Sequence, residues 1–315
     1  MDNKRPLIAH LSMFFACAFW GLMAPLGKQA MTHGITGLDM VTFRVCGAAL
    51  LFWTTSLFTK KEHVEGKDLV KFIFAGLFGL VFNQCCFTIG LSITSPINAS
   101  IVTTSMPIFA MILSALILKE PITGKKAIGV LMGCSGALIL ILSSAAAVSS
   151  KVGDIRGDLL CLFAQFSFSL YLSLFSPLIR KYSIFTVNKW MFTYAVVMIM
   201  PFSLNGVLSL NWSEITTGTW IETGYVVIFG TYVSYILTMV GQKTLRPTVV
   251  SIYNYVQPMV SVAVSVMIGI GAFRWTHGIA VILVFSGVWL VTKSKSRSDI
   301  EKHKLISEAY RKETE

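Results

Sequence analysis

Ten runs of roughly 20 mostly apolar residues divide this 315-residue chain, the length a helix needs to cross a bilayer. They are 7–30, 38–58, 69–90, 96–118, 125–143, 158–179, 185–206, 220–242, 247–270 and 275–293, called segments 1 to 10 below. The runs are continuously apolar, which excludes a β-barrel, whose strands alternate at period two. Composition agrees, since 54% of residues are hydrophobic and only 13% charged, too few charges to cover a soluble surface. The connections leave no room for a second soluble domain. Segment 1 follows Lys4-Arg5 and contains Ala16-Cys17-Ala18, but its apolar run continues to Leu26, too long for a signal-peptide core. It reads as a helix.

The formal charge of +11 does not point to nucleic acid, because the basic residues lie between the apolar runs and in the tail. The N-terminus and the connections after segments 2, 4, 6 and 8 hold 2, 4, 3, 3 and 2 Lys or Arg; those after segments 1, 3, 5, 7 and 9 hold 1, 0, 2, 0 and 1. This asymmetry predicts a multi-pass protein of the cell (inner) membrane with both termini cytoplasmic. The tail 294–315 mixes both signs and reads as a solvated end, with anionic headgroups as its other possible contact. All six cysteines fall in apolar runs without CxxC spacing or a nearby His, so neither a disulfide framework nor a metal site is expected.

A shift of 151 residues superposes the two halves without a gap. Phe78-Gly79 falls on Phe229-Gly230, Gly90 on Gly241, Pro96 on Pro247, Ser100-Ile101 on Ser251-Ile252, and Pro107 on Pro258. Ser114 falls on Ser265, Ser135-Gly136 on Ser286-Gly287, Trp20 on Tyr171, and Phe43 on Tyr194. Five segments per copy is an odd number, so the second copy must enter the membrane from the opposite side. The expected fold is therefore all-α, ten transmembrane helices in two inverted repeats, 1–143 and 157–293, joined by a linker at 144–156. Inverted repeats recur in secondary transporters with a central site.

Phe19-Trp20-Gly21, Phe43-Arg44, Pro107, Lys119-Glu120-Pro121 before the Gly129…Gly136 helix, and Gly157-Asp158 together carry a resemblance. The chain resembles the EamA-like family of the drug/metabolite transporter superfamily over nearly its whole length. The resemblance implies two inverted five-helix repeats, a central cavity, and export or exchange of small metabolites. One departure is that Gly271-Ala272-Phe273 stands where the second repeat usually carries an acidic residue. A gate symmetric at both ends is thus not expected.

Candidate site residues follow from depth and helix face. Ser100, Thr103, Pro107, Ala110 and Ser114 form one stripe on segment 4; Ser251, Asn254, Pro258, Ser261 and Ser265 form its counterpart on segment 9. Such a stripe is either a close-packing seam or a cavity wall, with Pro107 and Pro258 as hinges. Segment 9 adds Tyr253 and Gln257, four apart, while Tyr255 neighbours Asn254. Segments 3 and 8 contribute Asn83, Gln84, Tyr232 and Tyr235; segments 1 and 6 contribute Trp20, Gln165 and Tyr171. Intramembrane polar groups generally face the bundle interior or a wet cavity. The alternative for each is a helix-to-helix hydrogen bond, or core packing for Trp20. Arg44, the one basic residue well inside a segment, reads as structural, pairing with carbonyls or Asp39 or snorkelling outward, with attraction of an anionic substrate as the alternative.

No Asp or Glu occupies a segment centre, and His10 is the nearest candidate for a proton relay. Glu120, Asp158 and Glu222 sit at ends, where they can cap helices or meet loop lysines. The expected activity is facilitated transport of a small polar metabolite, with amino acids foremost, by alternating access. A proton-coupled antiporter is the alternative. A nucleotide-sugar or phosphate-ester carrier would need more cavity cations than Arg44. An embedded enzyme would need a catalytic pair such as His–Asp or Cys–His, and none is found. The implied partners are a small-molecule substrate and the lipid bilayer, with no cofactor, metal or nucleic acid.

Overall fold

The computed structural model describes residues 4–94, 96–145, 154–267, 275–297 and 299–300. Positions 271–273, most of the linker, the tail beyond residue 300 and the side chain of Ser265 lie outside the described residues. The described residues form helices joined by short turns, with no strand among them. Among the described residues nine helices are long and apolar enough to cross a membrane.

The expected segment 9 is not one of them; it is described as far as Met267 and is built in pieces. Helix Pro247–Ile252 passes into a 3₁₀ turn at Tyr253–Tyr255 and then into helix Val256–Met267. Segment 4 is interrupted at the corresponding place, between helices Pro96–Thr103 and Met106–Leu118. The prolines explain both breaks. Pro107 and Pro258 have no N–H to return to Thr103 and Asn254, so an uninterrupted ladder cannot form across them. Segment 6 stops at Leu174, and a separate short helix, Ser176–Lys181, starts around Pro177.

Segments 3 and 8 share a feature that periodicity does not show. Segment 3 runs as α-helix Gly66–Gly76, π-helix Leu77–Cys85 and α-helix Cys86–Ile93. Segment 8 runs as α-helix Thr217–Val227, π-helix Ile228–Val233 and α-helix Ser234–Thr244. The two π stretches start 151 residues apart. A wider turn loosens carbonyls from the ladder, and side chains from elsewhere take them. Ser167 donates to Phe78 O at 2.7 Å, Tyr235 to Gly79 O at 3.3 Å, and Trp20 Nε1 to Gly230 O at 3.0 Å.

Segments 5 and 10 form helices Gly124–Ala145 and Trp275–Thr292 and pack closely on each other. Gly129 lies against Gly287 and Gly136 against Ala280, so one index rises as the other falls. The two helices therefore run antiparallel. A Cβ on Gly287 would stand 2.5 Å from Gly129 O, so glycine sets the approach.

Polar contacts at segment ends sort into two faces. On one, Lys181 Nζ lies 2.6 Å from both Glu65 Oε1 and Asp68 Oδ2, Lys71 pairs with Asp68 at 2.7 Å, and Tyr182 donates to Asp68 at 2.7 Å. Ser183 N donates to Glu62 at 2.8 Å on that face, and Glu120 sits between Lys126 and Arg246 at 3.7 and 3.8 Å. On the other, Lys28 Nζ caps the end of segment 3, donating to Leu91 O, Ser92 O and Thr94 O at 2.7, 2.9 and 3.3 Å. Asp158 meets no lysine among the described residues; it accepts from Thr94 at 2.5 Å and Asn98 at 3.1 Å, while Asp154 caps segment 6 through Arg156 N.

Candidate functional site: a central polar and aromatic cavity

A cavity lies between segments 1, 2, 3, 4, 6, 8 and 9. Its wall brings together Trp20, Asn83, Gln84, Thr103, Gln165, Tyr235, Asn254 and Gln257, eight residues singled out by sequence. The wall also holds Arg44, Met23, Phe87, Met106 and Phe168, which sequence reasoning did not assign to it. The last four had a signal. Met23, Phe87, Met106 and Phe168 stand three or four residues after Trp20, Asn83, Thr103 and Gln165, hence on the same helix faces.

Three expected site residues are not on this wall. Tyr171 is fully buried and donates to Gln242 Oε1 at 3.1 Å. Six residues carry an α-helix about 240° around its axis, so Gln165 and Tyr171 cannot share a face. Tyr232 packs on Phe52 with ring centroids 4.7 Å apart. It sits in the π stretch, where three residues no longer bring a side chain back under Tyr235. Tyr253 turns to His10 Nδ1, 2.8 Å from its hydroxyl, because the 3₁₀ turn separates it from the face of Gln257.

Arg44 ties segment 2 to segments 3 and 8 and also stands on the cavity wall. It is 4% exposed, and it neither snorkels nor reaches Asp39, which forms a capping box with Thr36. Arg44 Nε donates to Thr231 Oγ1 and Nη1 to Thr88 Oγ1, both at 3.1 Å. Among the described residues no carboxylate pairs with it, and it is the one charged side chain on the cavity wall.

The amides around it are held in defined orientations. Gln84 Nε2 donates to Tyr235 OH at 3.1 Å, Asn83 Nδ2 to Ala164 O at 3.0 Å, and Gln257 Nε2 to Asn254 Oδ1 at 2.7 Å. Asn254 Nδ2 in turn meets Met106 Sδ. Trp20 stands edge-on to Phe168 and Tyr235, with centroids 6.2 and 6.1 Å away.

A second chamber shares Trp20, Phe87, Thr103 and Gln257 with the first. It continues past Pro25, Ser100, Pro258 and Ser261 towards the face of Lys28 and Asp158. The small-residue stripes thus divide by depth. Ser100, Thr103, Pro258 and Ser261 line space, whereas Ala110, Ser114 and Ser251 are buried, with Ser114 on Thr248 at 3.1 Å. Between the first chamber and the opposite face stand Tyr171 with Gln242, Tyr253 with His10, and then the Asp68–Lys181 cluster.

The profile of the EamA-like transporter family matches residues 7–142 and again 155–293. The chain belongs to the EamA-like transporter family. It is a multi-pass membrane protein of a transporter family, and its relatives agree with that membership. The uncharacterized transporter YetK of Bacillus subtilis (strain 168) is 25% identical over 94% of this chain and 90% of its own length. The WAT1-related protein At3g53210 of Arabidopsis thaliana is 23% identical over 85% and 81%. A solved crystal structure of another protein superposes with a TM-score of 0.72 at 19% identity, covering 93% of this chain and 97% of that one. That likeness is one of fold. A small-molecule cargo and a bilayer follow from the EamA-like membership.

Proposed function

We propose that the protein is a secondary transporter of a small polar metabolite, with an amino acid as the leading substrate, working by alternating access at the central cavity. The observation that carries this reading is the cavity wall, where oriented amides, aromatic faces and a single unpaired cation converge on one space between the segments, the mix of apolar lining and a few placed polar groups that small-molecule sites show. Amides and Arg44 would hold the polar end of a substrate while Trp20, Phe87 and Phe168 cover its apolar part.

Two inverted five-helix repeats underlie the mechanism. The antiparallel contact of segments 5 and 10 supports this, as do the paired π stretches and the family profile matching twice. The chamber leading past Ser100 and Ser261 is the exit to one side; the Tyr171, Tyr253 and Asp68–Lys181 layers close the other. Pro107 and Pro258 are the hinges about which the breaks in segments 4 and 9 flex. The Lys and Arg asymmetry supports an orientation in the cell (inner) membrane with the Asp68–Lys181 face and both termini on the cytoplasmic side. Coupling is to the substrate gradient, since no described Asp, Glu or His lines the cavity. One cation suits a carboxylate better than a phosphate ester.

The test is uptake into, and efflux from, proteoliposomes holding mixed amino acids, with and without a pH gradient. Selective flux that persists when the gradient is collapsed, and is lost in an Asn83→Ala, Gln257→Ala double variant, is the expected result. Flux that needs the gradient would replace facilitation by proton coupling; no amino-acid flux would remove the substrate assignment.

A further inference from the structure

Two polar groups on the cavity wall have bonding capacity that the protein leaves unused. Arg44 carries five N–H donors, and Thr231 and Thr88 take two of them. The Thr231 hydroxyl is itself committed to Val226 O at 2.8 Å, so it can only accept from Arg44. Three guanidinium N–H groups remain, in the fork geometry that grips a carboxylate with two parallel bonds. A buried cation without a counter-ion is costly to hold, which makes this position one that gains most from an anionic partner.

Gln84 is 1% exposed, and its Oε1 has no protein hydrogen-bond partner among the described residues. The orientation of its amide follows from Tyr235. That phenol gives its one proton to Gly79 O at 3.3 Å, so its oxygen must accept from Gln84, and the NH₂ must point there. Oε1 is left as a buried acceptor on the same wall. Thr88 lies one turn after Gln84, and Thr231 one turn before Tyr235, so the anchors of Arg44 and of Gln84 are one turn apart on both segments. One helical turn separates neighbouring side chains by about 5–6 Å. Hydrogen bonds of about 2.9 Å at each end fit two functional groups on adjacent carbons.

We infer that Arg44 and Gln84 together select a carboxylate bearing a hydrogen-bond donor on the adjacent carbon, as in an α-amino or α-hydroxy acid. The Arg44 fork takes the carboxylate and Gln84 Oε1 accepts from the neighbouring N–H or O–H. This rests on the transport reading for its setting, but it is a statement about binding and can be tested without flux. Amines lacking the carboxylate are rejected, because they would bring a second cation to Arg44.

The experiment is ligand-induced thermal stabilisation of the full chain in detergent. The probes are phenylalanine, phenyllactate, phenylpropionate and phenethylamine, and the matching leucine series, because the wall offers both flat and aliphatic contacts. The amino and hydroxy acids should stabilise at concentrations about tenfold below the acid lacking the donor, and the amine should not stabilise. Arg44→Gln should abolish the response to every carboxylate. Gln84→Leu should keep that response and lose only the advantage of the α-substituent. If Arg44→Gln does not fold, Arg44→Lys takes its place and should retain the carboxylate requirement with weaker affinity. An amine that binds as well as the amino acid, or an Arg44→Gln protein that binds the amino acid as before, overturns the assignment. Ligands that stabilise the protein but do not cross in proteoliposomes would uphold it and overturn transport of that substrate; no response to any carboxylate overturns it whatever else is transported.

Discussion

Gln84 and Tyr235 occupy the same position in the two halves of the chain, 151 residues apart, and the amide of the first donates to the phenol of the second at 3.1 Å. Tyr255 and Thr104 are a second such pair, with the Tyr255 hydroxyl donating to Thr104 O at 3.3 Å. Contacts between equivalent positions support the proposed pair of inverted repeats. The cavity is built around the first pair. The bond also shows how the halves differ, since one position supplies an amide and its mate a phenol.

Removing the Tyr235 hydroxyl tests how much that pair contributes. Tyr235→Phe leaves Gln84 Nε2 and Gly79 O without their partner inside the bundle. An unsatisfied buried polar group costs about 1–3 kcal/mol, so the variant should unfold more readily by that order. Thermal unfolding in detergent, followed by intrinsic fluorescence, reads it. No change would mean that water already serves these groups.

The crossing of segments 5 and 10 should tolerate no added methyl. Gly287→Ala places a Cβ within 2.5 Å of Gly129 O and must push two backbones apart. A loss of about 1–3 kcal/mol is expected for such overpacking. Gly278→Ala, on the same helix, meets nothing within 4 Å and should be neutral or mildly stabilising. Their melting temperatures, measured side by side, separate close approach from helix propensity.

Asp68 is the hub of the charged face, bonded by Lys71, Lys181 and Tyr182 at 2.6–2.7 Å. Asp68→Asn should loosen the contact between the end of segment 6 and the start of segment 3. Labelling of a cysteine placed at Leu178 by an aqueous maleimide should then rise several-fold. Unchanged labelling would show that apolar packing alone holds this face closed.

The same face has a definite pH window. Asp68 and then Glu65, by accepting from its ammonium, hold Lys181 above the ordinary lysine value of 10.5. Its contribution is fully present below that value and is lost only as pH rises through the higher folded value. Burial pushes the Glu62 carboxyl up, but hydrogen bonds from Ser183, backbone first, and from Thr186 outweigh it and leave the group below 4.5. Its contribution is present above 4.5 and is lost as pH falls through the folded value. Stability should be flat as far as these two groups act between roughly pH 5 and pH 10, and fall only below 4.5 and above 10.5.

Pro107→Ala and Pro258→Ala restore a donor to Thr103 O and Asn254 O and allow the helices to close across their breaks. Stability should hold or improve while flux falls several-fold, as expected when a hinge stiffens. Equal flux in variant and parent would show that the flexing occurs elsewhere.

Sequence by itself determined the membrane-spanning all-helical class, the position of nearly every segment, the 151-residue offset and most of the cavity wall. These follow from hydrophobic length and from 3.6-residue periodicity, both local properties of the chain. Trp20, Asn83, Gln84, Thr103, Gln165, Tyr235, Asn254 and Gln257 were legible because a polar group at mid-depth must face inward. Only the tertiary structure decided the rest. It moved Tyr232 and Tyr253 off the wall through a π stretch and a 3₁₀ turn, which change the residues per turn that the periodic argument assumes. It also put Arg44, bonded to Thr231 and Thr88, on the cavity wall as its single charge. A local pattern says how far a side chain lies along its helix and on which face; the partners it meets are set by Thr231, 187 residues away, and by Thr88, 44 away, which only the packing of segments brings together.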